Sequence, residues 1–265
     1  MNYLYEKKEN REIKINDNIS IGGSKPLIIA GPCTIRDKES LKETAIKMKE
    51  LGVNVLRGGA FKPRKSPYTF QGLEEEGLKI MIEVKKEVGI PIITELTNIE
   101  HLEKYIDEVD IIQIGSKNMF NYELLKALGK TKKPILLKRS MSATYEEFLL
   151  AAEYIMNGGN ENVILCERGI RGFETGTRFT LDIQAIPYIK QHSNLPIIID
   201  PSHASGKRSM IKPMSYASIA GGADGLIIEC ECCPEDAICD KDQTIDLEIM
   251  EEIISGVNKI KELDL

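Results

Sequence analysis

Hydrophobic and polar positions alternate along the chain on two length scales. Eight short apolar runs occupy residues 27–30, 53–56, 91–94, 111–114, 134–137, 163–166, 196–199 and 225–228. Between them lie amphipathic stretches long enough for helices, at 37–51, 72–88, 99–106, 122–128, 145–156, 181–191, 213–220 and 246–261. The first opens with Asp37 as a candidate N-cap and carries Leu41, Ala45, Met48 and Leu51 on one face before stopping at Gly52. The second closes at Gly89. Apolar strands alternating with helices predict a parallel sheet covered on its outside. Eight such units in one chain predict a closed α/β structure, the (β/α)₈ TIM barrel. Upstream, residues 12–21 alternate around Asn16-Asp17-Asn18, the pattern of a short β-hairpin suited to covering the bottom of the barrel. The expected organisation is an N-terminal hairpin and extension over 1–24 and a single catalytic barrel over 25–265.

Each run ends on residues able to do chemistry. In order these are Gly31-Pro32-Cys33, Arg57-Gly58-Gly59, Glu95, Gly115-Ser116-Lys117, Lys138-Arg139, Glu167-Arg168, Asp200-Pro201-Ser202-His203 and Glu229. Barrel enzymes carry their active sites at the carboxyl ends of the strands, so the placement predicts an enzyme. The net charge of -6 argues against a nucleic-acid partner. Positive residues nevertheless gather at the strand ends, which points to a small anionic ligand. Residues 1–20 lack the apolar core of a signal peptide, and no run approaches the roughly 20 residues of a membrane span. With six cysteines expected to remain thiols, a cytoplasmic location is expected and no membrane partner.

Cys33, His203, Glu229 and Asp240 group as candidate metal ligands: three lie just past the first, seventh and eighth runs, neighbours once the barrel closes. This mixed soft and hard set suits Mn, Fe, Co or Zn as a divalent cofactor rather than calcium or magnesium. His101 and His192 read as surface residues on helices, and Cys166 as a small core residue. The run from Cys230 to Cys233, with Cys239, lacks the paired spacing of a structural zinc site.

The loop from Arg57 to Pro67 sets several cations on a glycine- and proline-punctuated segment, with Lys117, Lys138 and Arg168 offering a second anion pocket. Two pockets plus a metal imply two anionic substrates side by side. Here the chain resembles the 3-deoxy-D-arabino-heptulosonate 7-phosphate synthases of the short type Iβ group. The resemblance runs through Ala30-Gly31-Pro32-Cys33, residues 56–64, Ser66-Pro67-Tyr68, Phe70-Gln71-Gly72-Leu73, Gln113-Ile114-Gly115, Leu136-Leu137-Lys138-Arg139, residues 158–171, Asp200-Pro201-Ser202-His203-Ala204, residues 221–229 and Asp240. It departs at Lys65, where a threonine is usual, and at Glu231-Cys232, where a His-Pro pair is common.

The resemblance implies condensation of phosphoenolpyruvate with erythrose 4-phosphate on the shikimate route, with a divalent metal. By it, Cys33, His203, Glu229 and Asp240 match the metal ligands, Arg57, Lys138 and Arg168 hold phosphoenolpyruvate, and Lys117 stands where relatives often have arginine. Lys62, Pro63 and Arg64 match the loop that receives erythrose 4-phosphate. Lys62 is the candidate proton donor, Lys138 the candidate phosphoenolpyruvate anchor, and Glu95 a candidate for placing water or pairing with a lysine. We also expect a homo-oligomer, a dimer or tetramer. Three rivals remain: a 3-deoxy-D-manno-octulosonate 8-phosphate synthase using arabinose 5-phosphate, a Schiff-base aldolase on Lys138, and a non-catalytic metal- or metabolite-binding protein. With about 25 residues before the first barrel strand, no separate regulatory unit is expected, and so no feedback inhibition by aromatic amino acids.

Overall fold

In the computed structural model, which describes residues 3–6, 9–62 and 66–263, each of the eight apolar runs contributes a strand. Two short antiparallel strands come first, β1 (Ile13–Lys14) and β2 (Ser20–Ile21). The barrel strands are β3 (Leu27–Gly31), β4 (Val55–Arg57), β5 (Ile92–Glu95), β6 (Ile111–Ile114), β7 (Ile135–Lys138), β8 (Val163–Glu167), β9 (Ile197–Ile199) and β10 (Gly225–Glu229). Each pairs in parallel with the next, and β10 closes on β3. This is the (β/α)₈ barrel with a hairpin that the pattern predicts.

The helices are α1 (Lys38–Glu50), α2 (Glu74–Val88), α3 (Ile99–Tyr105), α4 (Tyr122–Gly129), α5 (Tyr145–Asn157), α6 (Ala185–His192), α7 (Pro201–Ser205), α8 (Arg208–Ala220) and α9 (Leu247–Glu262). Local chemistry sets most of their starts. Asp37, Asn98, Asn121, Thr144 and Asp246 each accept a backbone N–H of the first turn, and Thr144 forms a capping box with Glu147. Two helix starts depart from the pattern by more than two residues. Helix α6 begins at Ala185 instead of 181, because Thr180 is tied across to Ile170 in a β-bridge. Helix α8 begins at Arg208, so Pro213 lies inside the helix and not at its first turn. A proline there removes one N–H, which the packed helix tolerates.

Strand parity divides the apolar residues into two layers. Ile28, Leu56, Ile92, Ile112, Leu137, Leu165, Ile197 and Ile228 face outward beneath the helices. Leu27, Ile29, Val55, Ile93, Ile111, Leu136, Ile164, Cys166, Ile198 and Ile227 fill the barrel interior together with Ile13 and Ile21 of the hairpin. The hairpin therefore plugs the bottom of the barrel, and both plug residues are fully buried. Ile21→Ala is expected to cost about 2–5 kcal/mol in urea unfolding, against well under that for half-buried Ile15→Ala. Equal losses would mean that the hairpin only lies against the barrel.

Candidate active site at the carboxyl end of the barrel

Two residues beyond the inward apolar layer, the same parity delivers Arg57, Glu95, Gln113, Lys138, Asp200 and Glu229 into the top of the barrel. On these six strands the inward position thus changes from apolar to polar within one step. Buried charge of this density is costly unless it is paired or used.

Closure of β10 on β3 brings the four candidate ligands together. Cys33, His203, Glu229 and Asp240 each offer one donor atom, and these lie within 4.8 Å of one another. Among the described residues this is the one such group, and the Cys230, Cys232, Cys233 and Cys239 cluster forms none. None of the six cysteines is in a disulfide, and Cys166 packs inside the barrel as a core residue. His203 is placed by α7, an element the apolar pattern does not reveal. Asp200 caps that helix through the His203 N–H at 2.9 Å, and its second oxygen takes His203 Nδ1 at 2.7 Å. Assigning the Nδ1 proton to that bond leaves Nε2, 3.2 Å from Glu229 Oε1, as a donor for a cation. Asp240 arrives because the loop after β10 folds back, Cys230 bridging Ile245 in the sheet direction. It adopts the left-handed conformation at φ 55°, which aspartate tolerates better than most residues. The Cys33 thiol donates to Asp240 Oδ2 at 3.0 Å.

The donor set fits a divalent transition metal: one sulfur, one imidazole and two carboxylates present donor atoms within 4.8 Å of one another. Burial and the Glu229 charge push the Cys33 thiol well above its ordinary range, while burial's upward push on Glu229 is outweighed by His203, Arg57 and Lys62, which hold it ionised.

Cations surround this centre. Arg57 Nη1 binds Glu229 Oε1 at 2.7 Å, and Lys62 Nζ donates to Cys33 Sγ at 2.9 Å. Lys138 Nζ pairs with Asp200 Oδ2 at 2.5 Å, both buried. Arg168 lies over the Phe179 ring at 4.8 Å, and burial lowers its pKa. Its Nη1 and Arg57 Nε are buried and have no hydrogen-bond partner among the described residues. Two orphaned guanidinium donors at the edge of one site are what a bound polyanion would satisfy. Lys117 sits exposed on a 3₁₀ turn (Ser116–Asn118) at the same end of the barrel and outside this buried group. Pro63 and Arg64, with Lys65, lie outside the described residues.

Glu95 is raised above the usual carboxylate range by burial, against the opposing charges of Lys62 and Lys138 and bonds from Gly115 N–H and the Asn118 side chain. Gly115 leaves the room that Glu95 occupies, since a Cβ there would collide with Glu95 Oε1. Gly115→Ala is therefore expected to displace Glu95 and slow turnover by up to about 100-fold, the scale of a 1 Å misplacement. An unchanged rate would remove Glu95 from the reaction.

Four contributors were given no role from the sequence. Asp200 orients His203 and Lys138, and its signal was available as the inward position after Ile198. Gln243 Nε2 binds Glu229 Oε2 at 2.6 Å, Ser202 Oγ accepts the Glu229 N–H at 3.0 Å, and Arg178 Nη1 reaches Asp240 Oδ1 at 3.5 Å. His101, read as a surface residue, stacks on Phe61 beside Lys62 at 4.1 Å.

The profile of the DAHP synthetase I family matches residues 9–264. The phospho-2-dehydro-3-deoxyheptonate aldolase of Thermotoga maritima is 49% identical over 252 residues, covering 95% of this chain and 74% of that protein. A 2-dehydro-3-deoxyphosphooctonate aldolase of Geobacter sp. is 28% identical, covering 96% of this chain and 97% of that protein. The crystal structure of the Thermotoga maritima enzyme superposes with a TM-score of 0.94 at 47% identity, over 98% of this chain and 77% of that one. A truncated form of 3-deoxy-D-arabino-heptulosonate 7-phosphate synthase from the same organism gives 0.89 at 46%, over 96% and 93%. Matched over nearly its whole length, the chain belongs to the DAHP synthetase I family.

Proposed function

We propose that this enzyme condenses phosphoenolpyruvate with erythrose 4-phosphate to give 3-deoxy-D-arabino-heptulosonate 7-phosphate and inorganic phosphate. The observation that carries the reading is the convergence of the four-donor cluster, Lys62, and the two guanidinium groups with orphaned nitrogens. Cys33, His203, Glu229 and Asp240 would hold the cation, which we take to be Mn, Fe, Co or Zn. When bound, it supplies a Lewis-acid centre that polarises an aldehyde oxygen.

Arg57, Lys138 and Arg168 bind the carboxylate and phosphate of phosphoenolpyruvate and fix its C3 toward the aldehyde, with Lys117 adding charge at the rim. Lys62, Pro63 and Arg64 receive the sugar phosphate. The C3–C1 bond forms as the aldehyde oxygen takes a proton from Lys62 Nζ. Water, placed by Glu95, then adds at the electron-deficient C2 and its released proton restores the Lys62 ammonium, after which the hemiketal phosphate collapses to the ketone and expels inorganic phosphate, which carries off the hydroxyl proton. No helix among the described residues is long and apolar enough to cross a membrane. We infer a cytoplasmic homo-oligomer with an N-terminal extension over 1–24, whose Ile13 and Ile21 plug the barrel of 25–265.

Phosphate release with each sugar phosphate tests the substrate. Erythrose 4-phosphate is expected to exceed arabinose 5-phosphate at least about tenfold in kcat/KM, equivalent to about 1.4 kcal/mol. A preference for the five-carbon sugar would move the enzyme to the octulosonate reaction.

A further inference from the structure

A second buried ionic array lies beside the site, between the strand ends and the helices. Arg139 comes directly after Lys138, and Glu167 precedes Arg168, so each has the outward parity while its neighbour points inward. Both are buried. Arg139 Nη1 stands 2.9 Å from Glu167 Oε2 and 2.9 Å from Asp182 Oδ2, while Nε and Nη2 donate to the Ala143 carbonyl at 3.0 and 2.8 Å. Tyr145 lays its ring on the guanidinium at 4.6 Å and donates its hydroxyl to Asp182 at 2.8 Å.

The grip extends to the backbone on both sides of Arg168. Glu167 Oε1 accepts the Gly169 N–H at 2.5 Å, and the Glu167 carbonyl accepts the Asp200 N–H at 2.8 Å. The Arg139 N–H donates to the Cys166 carbonyl at 2.9 Å. Gly169 turns at φ 98°, where a Cβ would lie 2.8 Å from the Phe179 side chain and 2.9 Å from the Ala204 backbone. The chain from Cys166 to Gly169 is therefore tied down on both sides, and Arg139 is its anchor on the neighbouring strand.

A buried ion pair is a weak source of stability, because desolvation offsets its attraction. Its distinctive product is geometry. We propose that the Arg139–Glu167 pair is a positioning device that holds Lys138 and Arg168 at a fixed separation, so that both cations address one phosphoenolpyruvate. This rests on the assignment of that substrate made above. Arg139 and Glu167 point away from the barrel interior and act through their neighbours.

Glu167→Gln tests it. Glutamine keeps the size but has one acceptor oxygen, so it can hold the Gly169 N–H or the Arg139 guanidinium and not both. Steady-state phosphate release and calorimetric binding of phosphoenolpyruvate to the metal-loaded enzyme are the readouts. KM and Kd for phosphoenolpyruvate are expected to rise at least tenfold, with KM for erythrose 4-phosphate within twofold of the parent. Arg139→Lys should behave alike, since an ammonium cannot span Glu167, Asp182 and the Ala143 carbonyl together. Asn160→Ala is the structural control. It removes a buried amide bonded to the Leu128 and Lys133 carbonyls at the opposite end of the barrel, and should lower Tm with both KM values unmoved. If Glu167→Gln lowers Tm as Asn160→Ala does but leaves the phosphoenolpyruvate constants within twofold, the pair is structural only and the inference is overturned. If the parent enzyme releases no phosphate from the substrate pair, the functional assignment has failed instead, and the calorimetric comparison still decides the role of the pair.

Discussion

Cys33→Ala protein supplied with excess cation, and the parent enzyme stripped of its cation, are both expected to turn over at less than about one hundredth of the parent rate. Losing a mere hydrogen-bonding neighbour of a ligand costs about 10–100-fold in affinity or activity, and Cys33 would be a ligand. Its thiol is fully buried, faces Asp240 at 3.0 Å and receives Lys62 at 2.9 Å, so alanine leaves both partners without their sulfur. Metal content after gel filtration, read beside the phosphate-release rate, separates loss of cation from loss of fold. Cys166→Ala is the control, because that thiol packs among Ile164, Ile198 and the rest of the inner layer and should leave metal content intact. Full activity in verified metal-free protein would remove the cation from the reaction.

The second large effect is at Lys62. Lys62→Met should lower kcat by about 10²–10⁴-fold, the range for a positioned proton donor, or about 2.7–5.5 kcal/mol of barrier. Binding of phosphoenolpyruvate should hold within about threefold, because Arg57, Lys138 and Arg168 are the anchors proposed for that anion. The ammonium sits against Cys33, so metal content must be measured in the same sample. Retained metal with a collapsed kcat supports proton delivery, whereas retained metal with a kcat near the parent value assigns the proton to another group.

The fold was legible because two periodicities agree. Short apolar runs and amphipathic stretches alternate eight times, and each barrel strand keeps its inward set at every second residue. The site was legible where chemistry sits directly at a strand end, as at Arg57, Lys138 and Glu229. Cys33 and His203 were legible just past the first and seventh runs, and Asp240 only as a loop residue near enough to fold back, because spacing does not set the course of the loop after β10. Gln243 and Arg178 gave no signal for the same reason: they enter from loops whose course depends on tertiary contacts. Helix α7 was missed because five residues are too few for a periodic pattern, although Asp200-Pro201 is a cap with a proline at the first helical position. Arg139 and Glu167 read as two more strand-end charges until strand parity turns them away from the barrel interior.

The proposed function stands on a carbon–carbon bond formed at C3 of phosphoenolpyruvate. Phosphoenolpyruvate labelled with carbon-13 at C3, incubated with erythrose 4-phosphate and metal-loaded enzyme, tests this directly by NMR. The label is expected to become a methylene coupled to a new carbinol centre, with one phosphate released per bond formed. Label recovered as the methyl group of pyruvate, with phosphate released at the same rate whether or not the sugar is present, would contradict it.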